Sequence, residues 1–170
     1  MAFETLSYSQ DKAERYETIL AQARALMDGI SHPIANLANA AALLYQGLEE
    51  VNWCGFYLMD HGALMLGPFC GLPACIKIPL GRGVCGTAAE KDEIQRVYDV
   101  HQFPGHIACD GASNSEIVIP LHLNGKILGV LDIDSPTIGR FDEIDQEYLC
   151  KLVNLIEDSC DFTWAGYAKE

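Results

Sequence analysis

The chain has 170 residues, of which 49% are hydrophobic, and it carries 24 Asp plus Glu against 11 Lys plus Arg for a formal net charge of -13. That length and apolar content suffice for one sizeable core, so a single domain spanning 1-170 is expected, with its core at about 16-156. The acidic balance repels phosphate backbones and anionic membrane surfaces and argues against nucleic acid or membrane as partners. No basic start followed by an apolar run is present at residues 1-17, and no stretch of about 18 apolar residues occurs anywhere, so a cytoplasmic location is expected. Seven cysteines in a reducing compartment do not make a structural disulfide framework, and an odd number cannot all pair within one chain. Some are therefore candidates for redox or metal chemistry.

From Ser9 onward, Tyr16, Ile19, Leu20, Ala23, Leu26 and Met27 recur at three- and four-residue spacing, one face of an amphipathic helix ending near Gly29. Ser31 offers a cap and Pro33 a first-turn proline for a second helix, whose Leu37, Ala41 and Leu44 keep helical spacing to about Gln46. Two strand-like runs, VNWCGFYLM and ALMLGPF, follow around the turn residues Asp60, His61 and Gly62. A short strand is expected at Ile76 to Ile78, then a glycine-rich turn leading into a short helix in GRGVCGTAAEK, then a brief strand at Gln95 to Val97. Between Tyr98 and Asn114 no periodicity survives. A loop of that length in a small domain is commonly a binding or active-site loop, and this one carries His101, His106 and Cys109. SEIVIPLHL and KILGVLDID are the clearest strands, separated by Asn124 and Gly125, and Ile144, Tyr148, Leu152, Leu155 and Ile156 mark a closing helix from about Asp142. The pattern is that of an α+β domain, an antiparallel sheet with helices packed on one face and an active-site loop over the other.

Alternation places the acids. In KILGVLDID, Val130, Asp132 and Asp134 share one strand face, opposite Gly129, Leu131 and Ile133. A two-residue Asn-Gly turn would pair Leu123 with Lys126, set Ile117 against Asp132 and mix core with polar surface along the hairpin, whereas a three-residue Asn-Gly-Lys loop pairs Leu123 with Ile127 and brings Glu116 opposite Asp134. The second register is preferred. It gathers Glu116, Asp132 and Asp134 on one face, where mutual repulsion should raise at least one pKa and keep a proton available, although a solvated acidic face is an equally plain reading. Trp53 and Tyr57 share a strand face with Gly55, opposite Cys54, Phe56 and Leu58, and would either wall a small pocket beside the acids or pack beneath a helix.

Cys54, Cys150 and Cys160 read as small buried hydrophobes. Cys70, Cys75, Cys85 and Cys109 lie in turn-rich chain, and Cys85 at a helix start would feel the positive end of the dipole, which favours thiolate. Zinc ligation by His101, His106 and Cys109 with Cys75 or Cys85 is a weaker alternative, because the tight pairing typical of structural sites is missing.

The segments GRGVCGTAAEK, DVHQFPGHIACD, SEIVIPL and GVLDIDS resemble the free methionine-(R)-sulfoxide reductase family over roughly Tyr16 to Ile156. The resemblance implies a single GAF domain that reduces free L-methionine-(R)-sulfoxide with its own cysteines, without metal or organic cofactor, and is recycled by thioredoxin or another dithiol. It places the family's three cysteines at Cys75, Cys85 and Cys109, with Cys109 attacking, Cys75 resolving and Cys85 retaining an essential or alternative role. It also implies that Trp53 and Tyr57 surround the substrate methyl group while Glu116, Asp132 and Asp134 face its polar end. Cys70 departs from the family's glutamine, and an off-pathway disulfide with Cys75 is the concern it raises. The oligomeric state stays open, a homodimer being one option. The alternative function is a GAF sensor module that binds a small molecule without catalysis.

Overall fold

The stripe Tyr16, Ile19, Leu20, Ala23 and Met27 is buried along one side of α1 (Lys12–Met27), which starts at Asp11, whose side chain accepts from the Glu14 N–H. In α2 (Pro33–Gly47) the cap is His32 rather than Ser31. Its Nδ1 accepts from the Ala35 N–H at 3.4 Å, and Pro33 occupies the first turn. A chain of small residues, Ala40 and Ala41 with Leu37 and Leu44, forms the buried face of that helix. The closing helix α4 (Glu143–Ser159) begins as expected at Asp142, through a reciprocal capping box with Asp145. These elements come from a computed structural model that describes residues 7-105 and 111-165.

Six strands form one antiparallel sheet: β1 (Trp53–Asp60), β2 (Ala63–Gly71), β3 (Lys77–Pro79), β4 (Gln95–Val97), β5 (Ser115–Leu123) and β6 (Lys126–Ser135), in the spatial order β3-β2-β1-β6-β5-β4. Both hairpins turn through two residues with positive φ, His61 and Gly62 in one and Asn124 and Gly125 in the other, the geometry that matches the right-handed strand twist. The β5–β6 turn therefore corrects the three-residue loop expected from the sequence. Leu123 pairs with Lys126, and a bulge at Leu128 then shifts the register so that Leu121 faces Gly129 and Glu116 faces Asp134. The expected pairing of the acids is reached through a tight turn plus a bulge. A second irregularity, opposite Phe56, accommodates Pro68 within β2, where an unbroken ladder would have required its missing N–H.

The two faces of the sheet bury different things. α1, α2 and α4 cover one face, where Cys54, Phe56, Leu58, Ile117, Ile119, Leu121, Leu131 and Ile133 meet Leu37, Leu44, Leu152 and Ile156. The opposite face holds a smaller cluster built from Trp53, Tyr57, Val118 and Val130 with Val84, Cys85, Ala88 and Ala89 of the short helix α3 (Gly83–Lys91). This helix lies on the second face, where Phe103 from the described part of the loop also packs. It sits close against the sheet edge because Gly86 lacks a side chain; a Cβ there would fall 2.4 Å from the Pro79 carbonyl oxygen. The loop has an ordered base, with a 3-10 turn at Val100–Gln102, the Val100 N–H donating to the Asn114 carbonyl at 3.0 Å and the Asn114 N–H to Ser135 at 2.7 Å.

A buried carboxylate ties the helices to the sheet. Asp145 accepts from Lys12 Nζ at 2.8 Å, from Tyr16 Oη at 2.8 Å, from Arg140 Nη1 at 3.0 Å and from the Asp142 N–H at 2.8 Å. It is fully buried, so each partner compensates its lost hydration, and removing it leaves a guanidinium and a phenol unsatisfied. Asp145→Ala should lower unfolding free energy by about 3–5 kcal/mol in urea titrations with an unchanged m-value.

Candidate active site

Register brings the predicted site residues together. β6 lies between β1 and β5, so Asp134 faces Trp53 on one side and Glu116 on the other, while Asp132 faces Gly55 and Val118. Trp53, Tyr57, Glu116, Asp132, Asp134 and Cys85 all line one pocket of about 510 Å³, counting its open mouth. The aromatic wall is continuous: Trp53 stacks on Tyr57 with centroids 5.8 Å apart and on Phe69 at 5.4 Å, and its Nε1–H donates to the Leu72 carbonyl at 3.1 Å. Gly55 makes room for this wall. A Cβ there would lie 2.8 Å from the Trp53 ring and 2.3 Å from Phe69 Cβ.

Electrostatics divides the acids. Glu116 and Asp132 are each only 6% exposed. Burial is the main cause that pushes the Glu116 carboxyl well above its usual range, and the charges of Asp132 and Asp134 push it further. Burial also raises Asp132, to about 6, with contacts to Cys85 and Glu116 holding it back. The two carboxyl groups are hydrogen-bonded to each other, and burial with mutual repulsion favours keeping a proton on Glu116. Cys85 is 4% exposed, and its thiol lies 3.8 Å from Glu116 Oε1. Its position in the first turn of α3 suggested thiolate, but desolvation and the neighbouring Asp132 and Glu116 charges outweigh the dipole and raise its pKa well above the ordinary thiol value. In the resting site Cys85 is a thiol.

The remaining cysteines separate by sheet face. Cys75 is disulfide-bonded, and the Tyr57 hydroxyl donates to its carbonyl at 3.0 Å, mooring the segment beside the aromatic wall. Cys54, Cys70, Cys85, Cys150 and Cys160 are free thiols. Cys109 and His106 lie outside the described residues. Cys70 pairs across the strands with Cys54 and packs on the helix-covered face, away from Cys75, which removes the reason to expect a disulfide between them. Cys54 is fully buried as expected; Cys150 and Cys160 are half-buried at the edge of that core, and Cys160 follows α4 as its C-cap. His101 is exposed, with Nε2 2.8 Å from Asn114 Oδ1, and shares no ligand cluster with other described residues. Arg82 and Ser113 also line the pocket and were not anticipated. Arg82 stands just before Cys85 in GRGVCG, where its proximity was a usable signal, whereas Ser113 in the loop carried none.

The sheet order, the helical layer and the pocket between α3 and the sheet define a GAF domain, and the GAF domain model matches residues 17-159. The chain is 52% identical over 147 residues to the free methionine-R-sulfoxide reductase of Escherichia coli K12, covering 86% of this chain and 89% of that protein. It is 45% identical over 164 residues to the Saccharomyces cerevisiae enzyme of the same name, covering 92% and 91%. The structure of free methionine-R-sulfoxide reductase from Neisseria meningitidis in complex with its substrate superposes with a TM-score of 0.87 at 43% identity, covering 92% of this chain and 95% of that one. The chain belongs to the free methionine-R-sulfoxide reductase family of GAF domains.

The buried acids have a measurable effect on stability. Asp132 titrates near 6 in the fold against 3.8 in the unfolded chain, so the native state binds its proton more tightly; the stability this contributes is complete below 3.8 and is lost as pH rises through about 6. Above that pH the ionised side chain opposes folding. Asp132→Asn should therefore melt about 5 °C above the parent at pH 7.5. The difference should vanish in thermal melts near pH 4.

Proposed function

We propose that this protein reduces free L-methionine-(R)-sulfoxide to L-methionine, with Cys109 as nucleophile, Cys75 as resolving thiol and Glu116 as proton donor. The observation that carries the reading is the pair Glu116 and Asp132: two buried carboxyl groups with raised pKa values, side by side at the end of an aromatic wall, in a chain of this family. Trp53 and Tyr57 receive the methyl group. Asp132 takes the substrate ammonium, backbone N–H groups near Glu116 take the carboxylate, and Asp134 faces the sulfoxide oxygen beside Glu116.

The Cys109 sulfur attacks the sulfoxide sulfur while Glu116 donates to the oxygen; that oxygen leaves on the enzyme, so methionine departs and Cys109 becomes a sulfenic acid. Cys75 condenses with it, releasing water and forming a disulfide, which thioredoxin or another dithiol reduces by exchange. The disulfide at Cys75 supports its resolving role, and the Tyr57 hydrogen bond holds that segment at the pocket. Thiols supply both electrons, so the cycle calls for no organic cofactor. A cytoplasmic location suits that reductant, and in this reading the segment between Tyr98 and Asn114 closes over the site, as recognition of a free amino acid rather than a peptide requires.

With dithiothreitol and racemic free methionine sulfoxide, the R isomer alone should be consumed. No methionine formed would reduce the chain to a binding module. Cys109→Ser should abolish turnover, and full activity in that variant would move the nucleophile to Cys85. Glu116→Gln should lower kcat by about 10²–10⁴-fold with a smaller change in KM. In kcat/KM profiles the limb rising through about pH 6 should belong to Asp132, since ammonium binding needs it ionised, and should disappear in Asp132→Asn.

A further inference from the structure

The proposed cycle leaves one buried nucleophile without a task. Cys85 is held in the pocket floor by α3, and its Sγ, a carboxylate oxygen of Glu116 and a carboxylate oxygen of Asp132 all lie within 4.8 Å of one another. Each residue is more than nine-tenths buried. Asp132 Oδ1 finds no hydrogen-bond partner among the described residues, although the residue lines the pocket and is enclosed on all other sides. A buried carboxylate oxygen left unpaired marks a place for a cation.

A substrate ammonium would satisfy Asp132 alone and would make no use of the thiol beside it. One sulfur and two carboxylate oxygens converging on a point form instead the donor set of a borderline-soft divalent metal, not of magnesium or calcium, which prefer oxygen alone. The spacing fits: Zn–S near 2.3 Å and Zn–O near 2.0 Å in a tetrahedral arrangement put sulfur and oxygen roughly 3.5 Å apart. Cys85 Sγ and Glu116 Oε1 already stand at 3.8 Å. Three protein ligands leave a fourth position open toward the pocket, where Asp134 also lies.

We propose that Cys85, Glu116 and Asp132 form a binding site for a thiophilic divalent cation of the zinc type, which occupies the substrate pocket and excludes the sulfoxide. Binding is not a redox step. The thiol of Cys85 and the acid of Glu116 release their protons to solvent, Asp132 joins as the carboxylate, and metal–sulfur and metal–oxygen bonds form in their place. The exclusion of substrate rests on the reductase reading above; the cation site does not.

Cobalt(II) serves as the spectroscopic probe, added to tag-free protein with its Cys75 disulfide intact. One equivalent should bind with a near-ultraviolet thiolate-to-cobalt band that zinc displaces, and X-ray absorption of the zinc-loaded parent should show one sulfur and an oxygen shell. Cys85→Ser and Cys85→Ala should lose the band, and Asp132→Asn should weaken binding by about tenfold or more. No band in the parent, a zinc shell without sulfur, or an unchanged band in both Cys85 variants would overturn the site. In single turnovers of protein whose Cys75 disulfide has first been reduced and from which the dithiol, itself a chelator, has then been removed, zinc should raise the sulfoxide concentration needed for half-maximal rate and leave the maximal rate nearly unchanged. A lowered maximal rate with unchanged half-saturation would refute substrate exclusion. Absence of any sulfoxide reduction would sink the reductase reading while the cobalt and zinc spectra still decide the cation site.

Discussion

Two carboxyl groups buried against each other on one sheet face, Glu116 on β5 and Asp132 on β6, are the constraint around which this domain is arranged. Their burial is unfavourable in isolation, because desolvation and mutual repulsion both oppose their ionisation. What holds them is backbone. The β5–β6 ladder and its flanking β1 pairing set their positions whatever their protonation, and the apolar rows on the reverse of the same strands lock that register into the main core. The large core thus supports a small polar site that would not assemble by itself, the familiar trade of stability for a prepared chemical environment.

The secondary devices follow from that arrangement. The bulge at Leu128 reconciles a two-residue turn with the register that keeps the acids together. Gly55 leaves the space over which Trp53 lies, directly across from Asp132, and Gly86 lets α3 close the second face and bring Cys85 to the acids. Distant from the pocket, Asp145 gathers the starts of α1 and α4 and the chain leaving β6 into one buried ionic node, so the helical layer and the sheet cannot shift independently. That carboxylate is compensated by two cations, a phenol and a backbone N–H.

The six cysteines among the described residues are sorted by the same two faces. Cys54 and Cys70 meet on the helix-covered side, Cys150 and Cys160 fringe that core, and Cys75 and Cys85 belong to the pocket side. On the pocket side the two differ by environment: Cys85 is a thiol desolvated beside negative charge, whereas Cys75 is disulfide-bonded in a half-exposed segment tethered by Tyr57. A nucleophilic thiol needs the opposite of what surrounds Cys85, whose tendency to stay protonated disfavours an attacking role.

Much of this was legible in the chain. Alternation alone put Asp132, Asp134 and Glu116 on one face and Trp53 with Tyr57 on one face, since a strand's period of two is a local property. Helical spacing located α1, α2 and α4, and the motif resemblance pointed to Cys75, Cys85 and Cys109. Other matters depended on distance in sequence. The choice of His32 over Ser31 as a cap, and a bulge in place of a longer turn, were settled by how the elements pack, and the pairing of β1 with β6 joins segments some eighty residues apart. The raised pKa of the Cys85 thiol is the clearest case. Its sequence neighbours describe a helix start, which favours thiolate, but the desolvation and the two carboxylates that raise its pKa arrive from β5 and β6, and only the folded chain brings them there.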